Sequence, residues 1–260
     1  YKEIDYFSEK KIDLIFGADS NFGILKRDIK LAEKLAENKK KFGYPNRFTV
    51  CYTKNSTEKV FDLAKIFAEV GMHRGVSVSM QSLNTNTLKN IKRDNIKLDF
   101  FKSLQRKYVE ADMVTYTELI LPLPGETYES WKEGIDKLLD SSQHSGLIVY
   151  NANVMPNAEL GDKNYQEKYK IKTAEIPLFQ AHSDKPVDDI LEYEPIIVGT
   201  DSMSTSQWKK AYKFTVFLQG FHYLGLLQAV FIILRHEYGI TYSDFIESLV
   251  DYGEKNKQSF

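Results

Sequence analysis

Short apolar runs alternate, through the first 160 residues, with longer stretches whose apolar positions recur every three or four residues. The runs at 12–17, 48–53, 76–81, 115–121 and 147–153 have the length and side-chain character of strands. The stretches 26–42, 57–70, 87–109 and 128–139 read as amphipathic helices, the third divided near Asn95. Strand starts recur every roughly 30–40 residues, the spacing of βαβ units, which implies a parallel sheet with right-handed crossovers. Ser56 is placed to cap the helix at 57, and Gly71 follows its end. Ahead of the first strand, residues 1–11 carry Ile4 and Phe7 three apart, the last turns of an amphipathic helix.

The third run discriminates between sheet types. Val76, Val78 and Met80 alternate with Ser77, Ser79 and Gln81, so one face packs on helices while the other is polar. Central strands of an open doubly wound sheet are apolar on both faces, whereas barrel strands turn one face to a lumen. Asn151 and Asn153 repeat the alternation, and Asp13 with Asp19 does so less cleanly. The expected fold is α/β, a barrel-like βα array wide or open enough to hold polar side chains and a ligand, with function at the C-terminal strand ends.

After residue 160 the rhythm stops, dividing the chain into a βα-barrel part, 1–160, and a mainly helical C-terminal extension, 161–260. Residues 161–189 are polar and Lys-rich, 195–200 reads as a strand, and Ser204-Thr205-Ser206 caps a helical region running from about Gln207 to Tyr238, with a last helix at 242–252. Within it, 214–234 carries no formal charge and is long enough to span a bilayer, but Gln219, His222 and Gln228, with Gly220 and Gly225 beside them, favour a buried helix over membrane association. His222 is expected to be a hydrogen-bonded core histidine.

Hydrophobic residues make up 42% and charged residues 27%, enough for a full core. A net charge of −1 gives no electrostatic support to a nucleic-acid partner. The single cysteine, Cys51, excludes internal disulfides and a cysteine-ligated zinc site, and its mid-strand place predicts a small buried residue.

Residues with chemistry gather at the strand ends. Gly17-Ala18-Asp19 closes the first strand, where glycine permits close backbone approach and Asp19 can take a cationic or hydroxylated group; a helix-capping turn is the plainer reading. Ser79, Gln81 and Ser82 offer neutral hydrogen-bonding groups suited to sugar hydroxyls. Arg93, in a chain that favours lysine, has the planar fork that matches a carboxylate or phosphate, or else pairs at the surface. Glu118 interrupts an apolar strand, where a carboxylate is costly unless it is paired or binds something. Pro122, Pro124 and Gly125 then shape a loop, with Glu126-Thr127 at a helix start where the dipole favours Glu126.

This ordered set resembles the core domain of the radical S-adenosylmethionine (radical SAM) enzymes, in particular the subgroup that carries a cobalamin-binding domain ahead of the core. The segment 118–127, Glu-Leu-Ile-Leu-Pro-Leu-Pro-Gly-Glu-Thr, is similar to that family's fifth-strand signature, and 151–159, containing Pro156-Asn157-Ala158-Glu159, to its sixth-strand end. The resemblance implies a partial (β/α) barrel, the family's TIM-like barrel with strands two to six present. It places Gly17, Ala18 and Asp19 at the methionine amine of S-adenosylmethionine, with Asp standing where the family has Glu. It places Ser79 and Gln81 at the ribose and Arg93 near the carboxylate. Glu118, Asn151 and Asn153 complete the implied cofactor set. A [4Fe–4S] cluster, a 5′-deoxyadenosyl radical, cobalamin-dependent methyl transfer or rearrangement, a flavodoxin or ferredoxin as electron donor, a small-molecule or lipid- or sugar-type substrate, and a reducing cytoplasmic location are implied with it.

The departure is the cluster loop, because three thiolates in a CxxxCxxC pattern have no counterpart here. Matching the strands in order makes 12–17 the family's second strand, so the chain, with Tyr1 rather than Met at its start, is expected to begin partway through a longer protein and to be inactive alone in the radical step. The other reading of the residues is a non-radical βα-barrel binding module, or a hydrolase or lyase pairing Glu118 with Glu126 or Asp19.

Overall fold

A computed structural model describes residues 1–53, 57–72, 75–178 and 192–256. The Ser56 cap lies outside them. Two compact units interleave along the chain, the first formed by Tyr1–Ser79, Ile96–Thr117 and Ser141–Gly146, the second by Met80–Asn95, Glu118–Asp140 and Leu147–Phe260.

In the first unit, α1 (Lys2–Glu9), β1 (Leu14–Phe22), α2 (Arg27–Phe42), β2 (Arg47–Tyr52) and α3 (Thr57–Ala68) follow the expected order. β1 and β2 are parallel, with Leu14 opposite Arg47 and Gly17 opposite Val50. The strands alternate in burial, and the inner face, including Phe48 and Val50, packs with Leu35 of α2 and Leu63 and Phe67 of α3. Phe48 meets Phe22 and Phe67 with ring centroids 5.7 and 5.2 Å away. Gly17 is needed by this packing: a Cβ there would lie 3.0 Å from both Phe48 and Val50. The outer face leaves Phe16 65% exposed. Cys51 is on that face too and is exposed, correcting the expected burial, because period-2 alternation puts it opposite Val50 and Tyr52. Gly71, with φ 70°, follows α3 as expected.

The third run forms only a two-residue strand, β3 (Val76–Ser77), parallel to the start of β4 (Thr115–Leu121). The helical stretch before β4 is split as expected, into α4 (Thr85–Asn90) and α5 (Leu98–Glu110). In the second unit the ladder resumes, Gln81 bridging Leu119 in parallel. There α6 (Tyr128–Leu139) follows β4, and β5 (Leu147–Asn151) lies beside β4 in one sheet. The C-terminal chain then adds α7 (Lys163–Lys168), β6 (Lys172–Pro177) and β7 (Tyr193–Gly199), the two strands pairing antiparallel. An α/β fold with parallel pairing is therefore present, while the strands of the described residues fall into separate sheets, β1-β2, β3-β4-β5 and β6-β7, instead of one continuous array.

The expected continuous helix is broken. α8 (Thr205–Phe217), capped by the reciprocal Ser204–Gln207 box, runs into a π-helical turn, Leu218–Tyr223, and α9 (Gln228–Tyr238) leaves at 97° to the first segment. Gly225, at φ 83°, supplies the left-handed residue of the turn. No single helix among the described residues is long and apolar enough to cross a membrane. His222 is buried among the rings of Tyr223, Phe231 and Tyr242, as a core histidine should be.

One carboxylate ties α6 and α8 to α10 (Tyr242–Lys255). Glu247 accepts from the Tyr128 hydroxyl at 2.8 Å and pairs with Lys132 at 3.0 Å and Lys210 at 3.1 Å. Burial raises its pKa, but these three donors outweigh burial and hold it down at about 2. A depressed folded-state pKa gives stability that is present above the ordinary carboxylate value and lost as pH falls through the depressed one. Replacing Glu247 with Gln is expected to lower Tm by about 2–4 °C at pH 7, and the difference from wild type should close in melts taken toward pH 2.

Candidate functional site

The expected site residues divide between the units. On the first, β1 leaves its ladder after Gly17 and rejoins it at Phe22, opposite Tyr52, so residues 18–21 bulge at the C-terminal strand end. Ala18 is exposed and Asp19 half-buried, its Oδ1 accepting the Asn21 N–H at 2.9 Å in a local Asx turn. Ser79 is half-buried, with its hydroxyl 2.7 Å from that of Ser77, and Val76 and Val78 are buried behind them, as the alternation predicts.

On the second unit the alternation ends at Gln81, which is buried in place of facing outward with Ser77 and Ser79. Its backbone explains this. Gln81 has φ 61°, and the Ser82 N–H closes a three-residue turn on the Met80 carbonyl at 2.7 Å. The N–H groups of Met80 and Gln81 share the Glu118 carbonyl, at 3.2 and 3.0 Å, while Ile120 N–H donates to the Gln81 carbonyl at 2.9 Å. A non-glycine residue in this region costs of order 1–3 kcal/mol, so its surroundings must hold it there.

Those surroundings are a set of neutral hydrogen bonds around one buried carboxylate. Glu126 is 1% exposed; one oxygen accepts from the Ser82 hydroxyl and the other from the Ser130 hydroxyl. Ser82 Oγ in turn accepts the Asn84 N–H at 3.0 Å, and Ser130 Oγ accepts the Thr127 N–H at 2.9 Å. Asn84 and Thr127 are the N-caps of α4 and α6, so the carboxylate joins two helix starts. Burial drives the Glu126 pKa up, and the hydroxyls of Ser130 and Ser82 and the amide of Asn84 pull it back only in part. The dipole role expected for Glu126 is thus overlaid by a buried hub that connects residues far apart in sequence.

Glu118 is not the buried carboxylate its place in an apolar strand suggested. β4 buries Thr115, Thr117, Leu119 and Leu121, and Glu118 is on the half-exposed face, its carboxylate accepting the Tyr150 hydroxyl of β5 at 3.2 Å. With both Glu126 oxygens engaged by serines and Glu118 facing Tyr150, the two do not offer the acid/base pair of the hydrolase or lyase reading. Asn151 is half-buried at the end of β5. Asn153 pairs across to Ile196 of β7 and spends its amide on Glu194 at 2.6 Å, an arrangement that secures β7. Arg93 is exposed and lines a groove of about 490 Å³ with Lys89, Lys92 and Asp94, among others; Lys92 is paired with Glu159 at 2.6 Å.

Sequence reasoning missed Tyr150 and Ser130, and took Ser82 for a neutral group of the strand end beside Gln81, not for a partner of Glu126. Tyr150 was recoverable from the same strand pattern that flagged Asn151, whereas nothing local marks the two serines as partners of one carboxylate. A metal or cluster finds no donor set here: no group of three or more His, Cys, Asp or Glu among the described residues could hold one, and Cys51 is the sole thiol of the sequence.

No family model matches the chain. It is 35% identical over 250 residues to the cobalamin-dependent radical SAM methyltransferase TokK of Streptomyces tokunonensis, covering 96% of this chain and 37% of that protein. It is 33% identical over 251 residues to the 2-(S-pantetheinyl)-carbapenam-3-carboxylate methyltransferase of Streptantibioticus cattleyicolor, with the same two coverages. The chain thus spans just over a third of the length of these relatives. Among solved structures, the radical S-adenosylmethionine methyltransferase TsrM of Kitasatospora setae, with tryptophan substrate and a SAM analogue bound, matches at a TM-score of 0.50 and 18% identity, over 71% of this chain and 35% of that one, a likeness of fold.

Gly125, at φ 92°, lies against α4: an added Cβ would be 2.6 Å from Asn90 Nδ2 and 3.3 Å from the Thr87 nitrogen. Its N–H donates to Ser202 at 2.9 Å. Gly125→Ala is therefore expected to cost roughly 1–3 kcal/mol, read as a lowered denaturation midpoint with unchanged m-value.

Proposed function

We propose, from this chain's kinship with the cobalamin-dependent radical SAM methyltransferases, that it is the cofactor-binding α/β part of such an enzyme, acting on a small-molecule substrate. The 35% identity over nearly the whole chain supports this most strongly. In this reading residues 1–160 belong to a partial barrel, and each unit carries groups for S-adenosylmethionine at its own strand ends: the bulge at Gly17, Ala18 and Asp19 with Ser79 on the first, and Gln81, Glu118 and Asn151, with the Arg93 guanidinium for an anionic group, on the second. Asn153 holds the wall through Glu194.

The [4Fe–4S] cluster does not fit the donors of this chain, since one thiol cannot supply its ligands. What these residues do is bind and orient. The hydroxyl of Ser79 and the amide of Gln81 suit ribose hydroxyls, and the carboxylates of Asp19 and Glu118 suit an amine or a hydroxyl donor. Cobalamin, an electron donor such as flavodoxin or ferredoxin, and a reducing cytoplasmic setting belong to the same proposal.

The test uses the protein made from the complete reading frame, reconstituted anaerobically with iron, sulfide and cobalamin. Methyl transfer from S-adenosylmethionine and a cluster signal perturbed by that cofactor are expected; a protein that takes up neither cluster nor cofactor overturns the proposal. Within it, Glu118→Gln is expected to weaken S-adenosylmethionine binding by about 1–3 kcal/mol with an unchanged Tm, since its side chain is on the half-exposed face. A purely thermal defect would remove Glu118 from the site.

A further inference from the structure

Resting on that cofactor-binding role, we propose that Glu126 is a positioning residue for the Gln81 turn, holding this strained strand end in the one conformation in which the cofactor binds. Gln81 is in the left-handed region at φ 61°, and Ser82, the next residue, is where the turn is fastened. Ser82 is held at every polar atom: its N–H on Met80, its carbonyl by Asn95 Nδ2 at 2.6 Å, its hydroxyl between the Asn84 N–H and Glu126. The Glu126 arm is the one that reaches the loop following β4, and through Ser130 it continues to the start of α6. The turn's position is thus set by the element that carries Glu118, the carbonyl of which already receives the Met80 and Gln81 N–H groups. Backbone strain kept at a strand end in this way is the pattern of a preorganised site.

Only a carboxylate serves both serines as they stand. Each hydroxyl is oriented by a backbone N–H donating to its oxygen, so each presents its proton to Glu126, which must accept twice. An amide or a protonated acid can accept at one side only, forcing one serine to turn. The groups bonded to the carboxylate, Ser82, Ser130 and Asn84, are all neutral, so its protonation alone changes the charge of the cluster.

The experiment measures hydrogen exchange at the amides of residues 80–82 and S-adenosylmethionine affinity in the same reconstituted protein. Ser82→Ala and Glu126→Ala are expected to speed exchange there about tenfold and weaken affinity about tenfold, one step of 1.4 kcal/mol. Asp140→Ala, which opens only the Arg235 pair at 2.7 Å, is expected to lower Tm and change neither reading. Unchanged protection at 80–82 in Ser82→Ala and Glu126→Ala overturns the clamp, as does loosened exchange with wild-type affinity. A wild type that binds no cofactor counts against the proposed function, and the exchange at 80–82 still decides whether the clamp exists.

Discussion

A carboxylate with almost no access to water must find its hydrogen-bond donors inside the protein, and where it finds them decides which segments it can hold together. Glu126 takes one serine from the loop after β3 and one from the first turn of α6, two places separated by 48 positions from Ser82 to Ser130. Two helix starts, the Gln81 turn and the loop after β4 are thereby fixed to one group. Gly125 beside it allows the close approach, since its missing side chain is the space into which Asn90 fits. The loop's shape and the carboxylate's burial are therefore one constraint.

The elements themselves were legible from hydrophobic spacing, and most clearly where burial is one-sided. β4 and α6 fall at their expected limits because each alternates or repeats cleanly, with Thr115, Thr117, Leu119 and Leu121 buried along one face of the strand. Helix α8 begins where its capping box says it should. Sequence alone mistook the continuity of the C-terminal helix, because an uncharged run satisfies a straight buried helix as well as two helices around a π-turn, and only the left-handed Gly225 and packing about His222 choose between them. The exposure of Cys51 was likewise hidden: a small residue fits either face, and its neighbours Val50 and Tyr52 decide the side.

The site was half legible for a similar reason. Residue type flagged Glu118 as a carboxylate among apolar neighbours, yet alternation puts it on the less buried face, where Tyr150 meets it. Glu126 looked like an ordinary helix-start acid, and its two serine partners come from segments no local pattern connects. Gln81 was assigned a face by counting, and its positive φ breaks the count. Periodicity reports where regular backbone puts a side chain, and it fails where the backbone departs from regularity, which is also where sites collect strain.

The same contrast separates the two carboxylates chemically. Glu118 is on the half-exposed face of β4, where the Tyr150 hydroxyl donates to it. A group meant to hold geometry should be closed on all sides, its lone pairs committed and its environment dry, and Glu126 meets that condition. A chain with one thiol does not by itself supply the ligands of a cluster, while its strained turn is locked by a buried acid. The burial that makes the Glu126 charge costly also makes its bonds directional and hard to replace, because water cannot substitute for either serine.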